Sequence, residues 1–117
     1  MRAGPPSLDL LSPAERVALD RFVSEARRIC GSRLVELRAY GSRVRGEGHE
    51  LSDLDVFVLL AEPDRALEGA LDDLAADLHL ETQVMLDPRV WSRTEWETWL
   101  RHERALALAI AAEGVPL

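Results

Sequence analysis

The sequence predicts an α+β fold, a small mixed β-sheet of about three strands packed with helices. Helix-start signatures stand at Ser12–Glu15 and Ser92–Glu95, and strand-like segments lie at 34–40 and 54–60. Elsewhere apolar residues recur at three- and four-residue steps, the spacing of helices with one buried face. The chain has 117 residues, the length of one domain.

Residues 1–11, with the run Gly4-Pro5-Pro6, read as a flexible lead-in, and 12–117 as a single domain. Ser12-Pro13-Ala14-Glu15 offers a capping hydroxyl, a proline suited to the first helical position and a glutamate that reaches back to the cap. Leu19, Phe22, Val23, Ala26, Ile29 and Cys30 form the apolar stripe of that helix, and Gly31 ends it. Val35, Leu37 and Ala39 alternate with polar residues, so they should face the core from a half-buried strand. Leu54–Leu60 is apolar on both faces after its first residues, which marks a central strand. Pro63 breaks the chain, and Asp64–Leu80 carries Leu67, Leu71, Leu74, Ala75 and Leu78 at helical spacing. A short third strand is expected at Thr82–Leu86, closed by Asp87-Pro88. One final helix should run from the Ser92 cap to Gly114. All helices are expected on one side of the sheet.

Fourteen basic residues against 21 acidic leave a net charge of −7, so general nucleic-acid binding is not expected. Every basic residue is Arg, which removes P-loop lysine and Schiff-base chemistry together. Cys30 stands alone on an apolar stripe, where a packing thiol is expected rather than a disulfide or a nucleophile. No apolar run is long enough to span a membrane, and the N-terminus lacks a secretory h-region, so a cytoplasmic location is expected. His49, His79 and His102 show no paired metal spacing and read as surface residues. Trp91, Trp96 and Trp99 read as core packing for the last helix.

The chemistry concentrates between Gly41 and Asp55. Asp53 and Asp55 are two apart at the start of an apolar strand, so both carboxylates point to one face and repel each other. A hard divalent cation such as Mg²⁺ offsets that repulsion best. Gly41-Ser42 directly follows a strand, where glycine permits close backbone approach and a turn offers N–H groups and a hydroxyl to a phosphate. Together the two features suit a nucleoside triphosphate held with Mg²⁺.

These residues resemble the minimal nucleotidyltransferases of the polymerase-β-like superfamily, whose signature is Gly-Ser, about ten residues, then Asp-x-Asp. Here ten residues, 43–52, separate Ser42 from Asp53, and Arg43-Val44-Arg45-Gly46 and Ser52-Asp53-Leu54-Asp55 match as well. The resemblance implies that Gly41 and Ser42 bind the triphosphate of ATP. It also implies that Asp53 and Asp55 ligate Mg²⁺, and that Arg43 and Arg45 stabilise the turn or the phosphates. The family adds a third carboxylate on the following strand as general base. The expected third strand contains none, so Glu81 just before it is the first candidate and Asp87 just after it the second.

By the same resemblance, many such small proteins are antitoxins paired with a HEPN-domain ribonuclease toxin, and some transfer AMP to a tyrosine of that partner. The resemblance therefore implies a Mg²⁺-dependent transferase acting on a partner protein, with ATP as substrate. A second reading is an inactive antitoxin that neutralises by binding, motivated by the carboxylate-free third strand. A third, transfer to an aminoglycoside-type small molecule, suffers from the lack of a second lobe. The acidic surface and the tryptophan-bearing helix are compatible with a protein partner or an oligomer.

Overall fold

The computed structural model describes residues 5–48 and 52–117. The first helix, α1 (Pro13–Cys30), opens with the full capping box between Ser12 and Glu15 and stops at Gly31, whose φ of +54° suits glycine. Strands β1 (Leu34–Tyr40) and β2 (Leu54–Leu60) pair antiparallel, with Tyr40 opposite Asp55. Helix α2 (Arg65–Thr82), capped by Asp64, crosses to β3 (Leu86–Ser92), which lies parallel to β2. Helices α3 (Arg93–Arg101) and α4 (Ala105–Glu113) follow, and β4 (Val115–Pro116) closes the order β3-β2-β1-β4. The sheet is thus mixed, as expected, with one strand more than the sequence revealed.

Period-two geometry divides the core into two layers. Leu54, Val56, Val58 and Leu60 of β2 pack with Phe22 and Leu71 of the first two helices. Phe57 and Leu59 face the other way, toward Trp91, Trp96 and Ile110. Helices therefore cover both faces rather than one. Central β2 is buried on both sides from Val56 onward, and fully burying a Phe or Leu side chain contributes about 1.5–3 kcal/mol. The tryptophans pack as expected, with the Phe57 and Trp96 ring centroids 4.6 Å apart.

Several boundaries differ from the sequence pattern. The segment expected as a lead-in carries structure from Ser7: its N–H donates to the Val44 carbonyl oxygen at 2.9 Å, and Leu11 is buried. Val35 is exposed rather than core-facing, because a bulge between Leu34 and Glu36 shifts the side-chain alternation by one. The third strand is not Thr82–Leu86. Helix α2 continues to Thr82, Gln83 caps it in the left-handed conformation, and β3 begins only at Leu86. The final helix breaks in two, with Glu103 at φ +50° between α3 and α4.

Candidate active site

The end of β1, the start of β2 and the start of β3 meet at one edge of the sheet, because β1 runs against β2 while β3 runs with it. Gly41 follows β1 with φ +89°, a conformation that L side chains rarely adopt. A Cβ there would lie 3.3 Å from Asp55 Cγ and closer still to its Oδ2, so only glycine lets the strand end abut that carboxylate. The Ser42 carbonyl oxygen then accepts from the N–H groups of Arg45 (3.1 Å) and Glu47 (2.9 Å), closing a compact turn. Gly48, at φ +71°, passes close to Ser42 and Ser52, where a Cβ would come within 2.9 Å of Ser52 Oγ.

Arg43 holds this turn from beneath. Its Nε and Nη2 each bond Glu15 at 2.7 Å, and Nη1 donates to the Glu47 carbonyl oxygen at 3.1 Å. Arg43 is only 8% exposed, and of the two roles expected for it, stabilising the turn or the phosphates, these contacts are those of the turn: the guanidinium braces it against α1. Burial raises the Glu15 carboxyl pKa, but bonds from Arg43 and the Ser12 backbone, with the Arg43 charge, outweigh it and hold the carboxyl below the ordinary value. Arg45 faces the cleft instead, ion-paired with Glu47 (3.2 Å) and Glu113 (3.5 Å).

Asp55 shares the β2 face of Phe57 and Leu59, and Asp87 of β3 stands directly opposite it. Burial first, then the Asp87 carboxylate, push Asp55 up to about 6, against the lowering influence of Arg89. Asp53 adds a smaller upward push from its exposed position just before the strand. Among the described residues, no three acidic, histidine or cysteine side chains converge closely enough to form a metal cage. The donor chemistry nonetheless suits a hard cation: oxygen ligands only, facing a glycine whose missing Cβ leaves room beside Asp55. A cleft of about 340 Å³ adjoins Asp55, lined by Tyr40, Gly41, Ser42 and Arg45 on one side and Leu106 and Ala109 of α4 on the other.

The structure brings Gly41, Ser42, Arg45 and Asp55 to one cleft, with Asp53 exposed just before the strand that carries Asp55. Glu81 is not there. It sits exposed in the last turn of α2 and forms an ion pair with Arg21 of α1. The carboxylate across from Asp55 is Asp87, the second candidate from the sequence, where Asp87-Pro88 is expected to close the third strand. Pro88 is tolerated because β3 is an edge strand, where a missing N–H breaks no ladder bond. Tyr40, which carried no signal in the sequence, also lines the cleft. His49 lies outside the described residues. His79 and His102 are exposed, and buried Cys30 has its thiol pKa raised by burial.

The strand-end glycine–serine turn and the Asp55 carboxylate thus meet at one cleft. A sequence model of the nucleotidyltransferase domain matches residues 20–110, and the chain belongs to that family. A toxin–antitoxin complex crystallised with AMP-PNP contains a chain 21% identical to this one, with a TM-score of 0.55 over 83% of this chain and 70% of that chain. A chain of the MntA-HepT toxin–antitoxin structure is 18% identical, with a TM-score of 0.51 over 86% of this chain and 69% of that chain. At those identities the likeness is one of fold. A structure described as a candidate minimal nucleotidyltransferase is 25% identical, with a TM-score of 0.57 over 91% of this chain and 97% of that chain. No curated protein matches significantly.

Proposed function

We propose that this chain is a Mg²⁺-dependent nucleotidyltransferase that moves AMP from ATP to a hydroxyl of a partner protein, a HEPN-domain toxin, and so acts as its antitoxin. The observation that carries the reading is the meeting of the Gly41–Ser42 turn with Asp55 and Asp87 at one end of the sheet. The fold shared with chains of toxin–antitoxin complexes, one of them crystallised with AMP-PNP, supports the class of partner and substrate.

In this reading Ser42 Oγ and the N–H groups of the turn bind the outer phosphates, and Arg45 adds positive charge at the cleft wall. Asp53 and Asp55 hold Mg²⁺, with Asp87 as the third carboxylate. The cation supplies charge neutralisation on the phosphates and orients them for in-line displacement. Asp87 takes the proton from the acceptor hydroxyl as its oxygen attacks the α-phosphorus. A new P–O bond forms, the bond to the leaving oxygen breaks, and pyrophosphate departs.

The binding-only antitoxin drew its motivation from a third strand without a carboxylate. Strand β3 begins at Leu86 and includes Asp87, so that motivation is gone. The experiment is incubation with α-labelled ATP and Mg²⁺, with and without the toxin partner, for the wild type, Asp53→Asn and Asp87→Asn. Label on the partner from wild type alone is expected. A tight complex without any labelling would replace transfer by neutralisation through binding.

A further inference from the structure

Tyr40 is the last residue of β1 and lies in the second core layer with Phe57, Trp91 and Ile110. It is 5% exposed, yet its hydroxyl has no hydrogen-bond partner among the described residues. Buried hydroxyls are nearly always paired, because one taken from water and left unmet is costly. A phenylalanine would fill the same space and leave no polar atom unmet. Packing alone therefore does not account for the hydroxyl.

Its position does. Tyr40 directly precedes Gly41 and lines the same cleft as Ser42 and Asp55. Across that cleft stand Leu106 and Ala109 of α4, an apolar stretch that suits the uncharged part of a nucleotide, with Glu113 of the same helix paired to Arg45. The Ser42 turn and the carboxylates bracket the polar end, and Tyr40, paired across the strands with Asp55, lines the same cleft as both that end and the apolar side chains. In a bound nucleotide the sugar lies between phosphates and base.

Resting on the nucleotide-transfer reading above, we propose that the Tyr40 hydroxyl donates a hydrogen bond to a sugar oxygen of the bound nucleoside triphosphate. Tyr40 is then a positioning residue that distinguishes a nucleotide from a bare polyphosphate. The ligand supplies the acceptor that the protein lacks, and the hydroxyl fixes the sugar relative to the phosphate grip one residue away.

Calorimetric titration with ATP and with inorganic triphosphate, both with Mg²⁺, tests this on wild type and Tyr40→Phe, alongside thermal melts without ligand. The expected result for Tyr40→Phe is ATP affinity weakened about 3- to 10-fold, triphosphate affinity unchanged, and a ligand-free melting temperature equal to or above that of wild type. A purely structural hydroxyl would lower the melting temperature instead, and that outcome overturns the proposal. Equal weakening toward both ligands also overturns it, since the hydroxyl would then serve the phosphates, and so does no change toward either. Wild type that binds neither ligand overturns the nucleotide reading together with this one, whereas wild type that binds both separates the two.

Discussion

Gly41 and Asp55 occupy space that only one of them can fill: a side chain on Gly41 would overlap the Asp55 carboxylate, and at φ +89° its backbone would be strained as well. The two effects separate by experiment. Gly41→Ala is expected to cost roughly 1–3 kcal/mol of stability from backbone strain and also to displace Asp55, reducing Mg²⁺–ATP affinity at least tenfold. Gly31→Ala is the control, since Gly31 has φ +54° but nothing within 4 Å of a built Cβ. It should lose stability in urea denaturation with nucleotide affinity intact. Equal binding losses in both variants would show that strain alone is responsible.

The Glu15–Arg43 pair ties α1 to the turn after β1, and its value lies in being complete. Removing one partner by Arg43→Met leaves a buried, unpaired carboxylate, an expected loss of about 3–5 kcal/mol. Arg43→Lys should recover little, because an ammonium cannot reproduce the forked contact with both Glu15 oxygens. The double variant Glu15→Met with Arg43→Met should be more stable than Arg43→Met alone. The pH dependence has a fixed sign. Glu15 is depressed below 4.5 in the fold, so its contribution is present above that value and is lost as pH falls through the folded-state pKa. Denaturation midpoints of wild type and Glu15→Gln should converge toward low pH, and parallel curves would rule the pair out as a source of stability.

How much of this was legible in the sequence depends on how local each signal is. The Ser12–Glu15 and Ser92–Glu95 boxes were readable because both partners lie three residues apart, and both form. The central place of β2 was readable because burial on both faces demands a continuous apolar run. The Gly41–Ser42 turn and the Asp-x-Asp pair were readable as a motif. What escaped was set at a distance. Glu15 reads as a helix cap, and only the fold brings Arg43, 28 positions along, onto the same carboxylate. Residues 82–86 carry strand-forming types, yet α2 runs on to Thr82, whose Oγ1 donates to the Leu78 carbonyl oxygen, and Gln83 caps it, which moves the third strand onto Asp87. The break at Glu103 has no glycine or proline to announce it.

Asp55 sets a second pH dependence, of opposite sign to that of Glu15. Its pKa rises in the fold from 3.8 to about 6, so the carboxyl favours the folded state fully below 3.8, and that contribution is lost as pH climbs through about 6. In chelator, without nucleotide, Asp55→Asn should therefore gain stability over wild type as pH rises from about 4 to 6. Above that range the difference should hold constant. Urea denaturation across pH reads it, and a difference that does not vary with pH would show that Asp55 titrates as an ordinary solvated carboxylate.

Glu81 and Asp87 flank the same short connection from α2 into β3, and the fold sends them to opposite duties. Glu81 pairs with Arg21 on the helical side with both side chains about half exposed, an arrangement that contributes about 0.2–1 kcal/mol. Glu81→Gln should lower stability by no more than that and leave nucleotide transfer at the wild-type rate. Asp87 faces Asp55 across adjacent strands, so Asp87→Asn removes both a carboxylate and the repulsion it exerts. Transfer should fall at least about 100-fold, while ligand-free stability near neutral pH rises, because the Asp55 charge then loses its unfavourable neighbour. The opposed signs matter. Activity lost together with stability would mean that Asp87 supports the strand rather than the reaction, and a Glu81→Gln variant without activity would return the third carboxylate to the helix end.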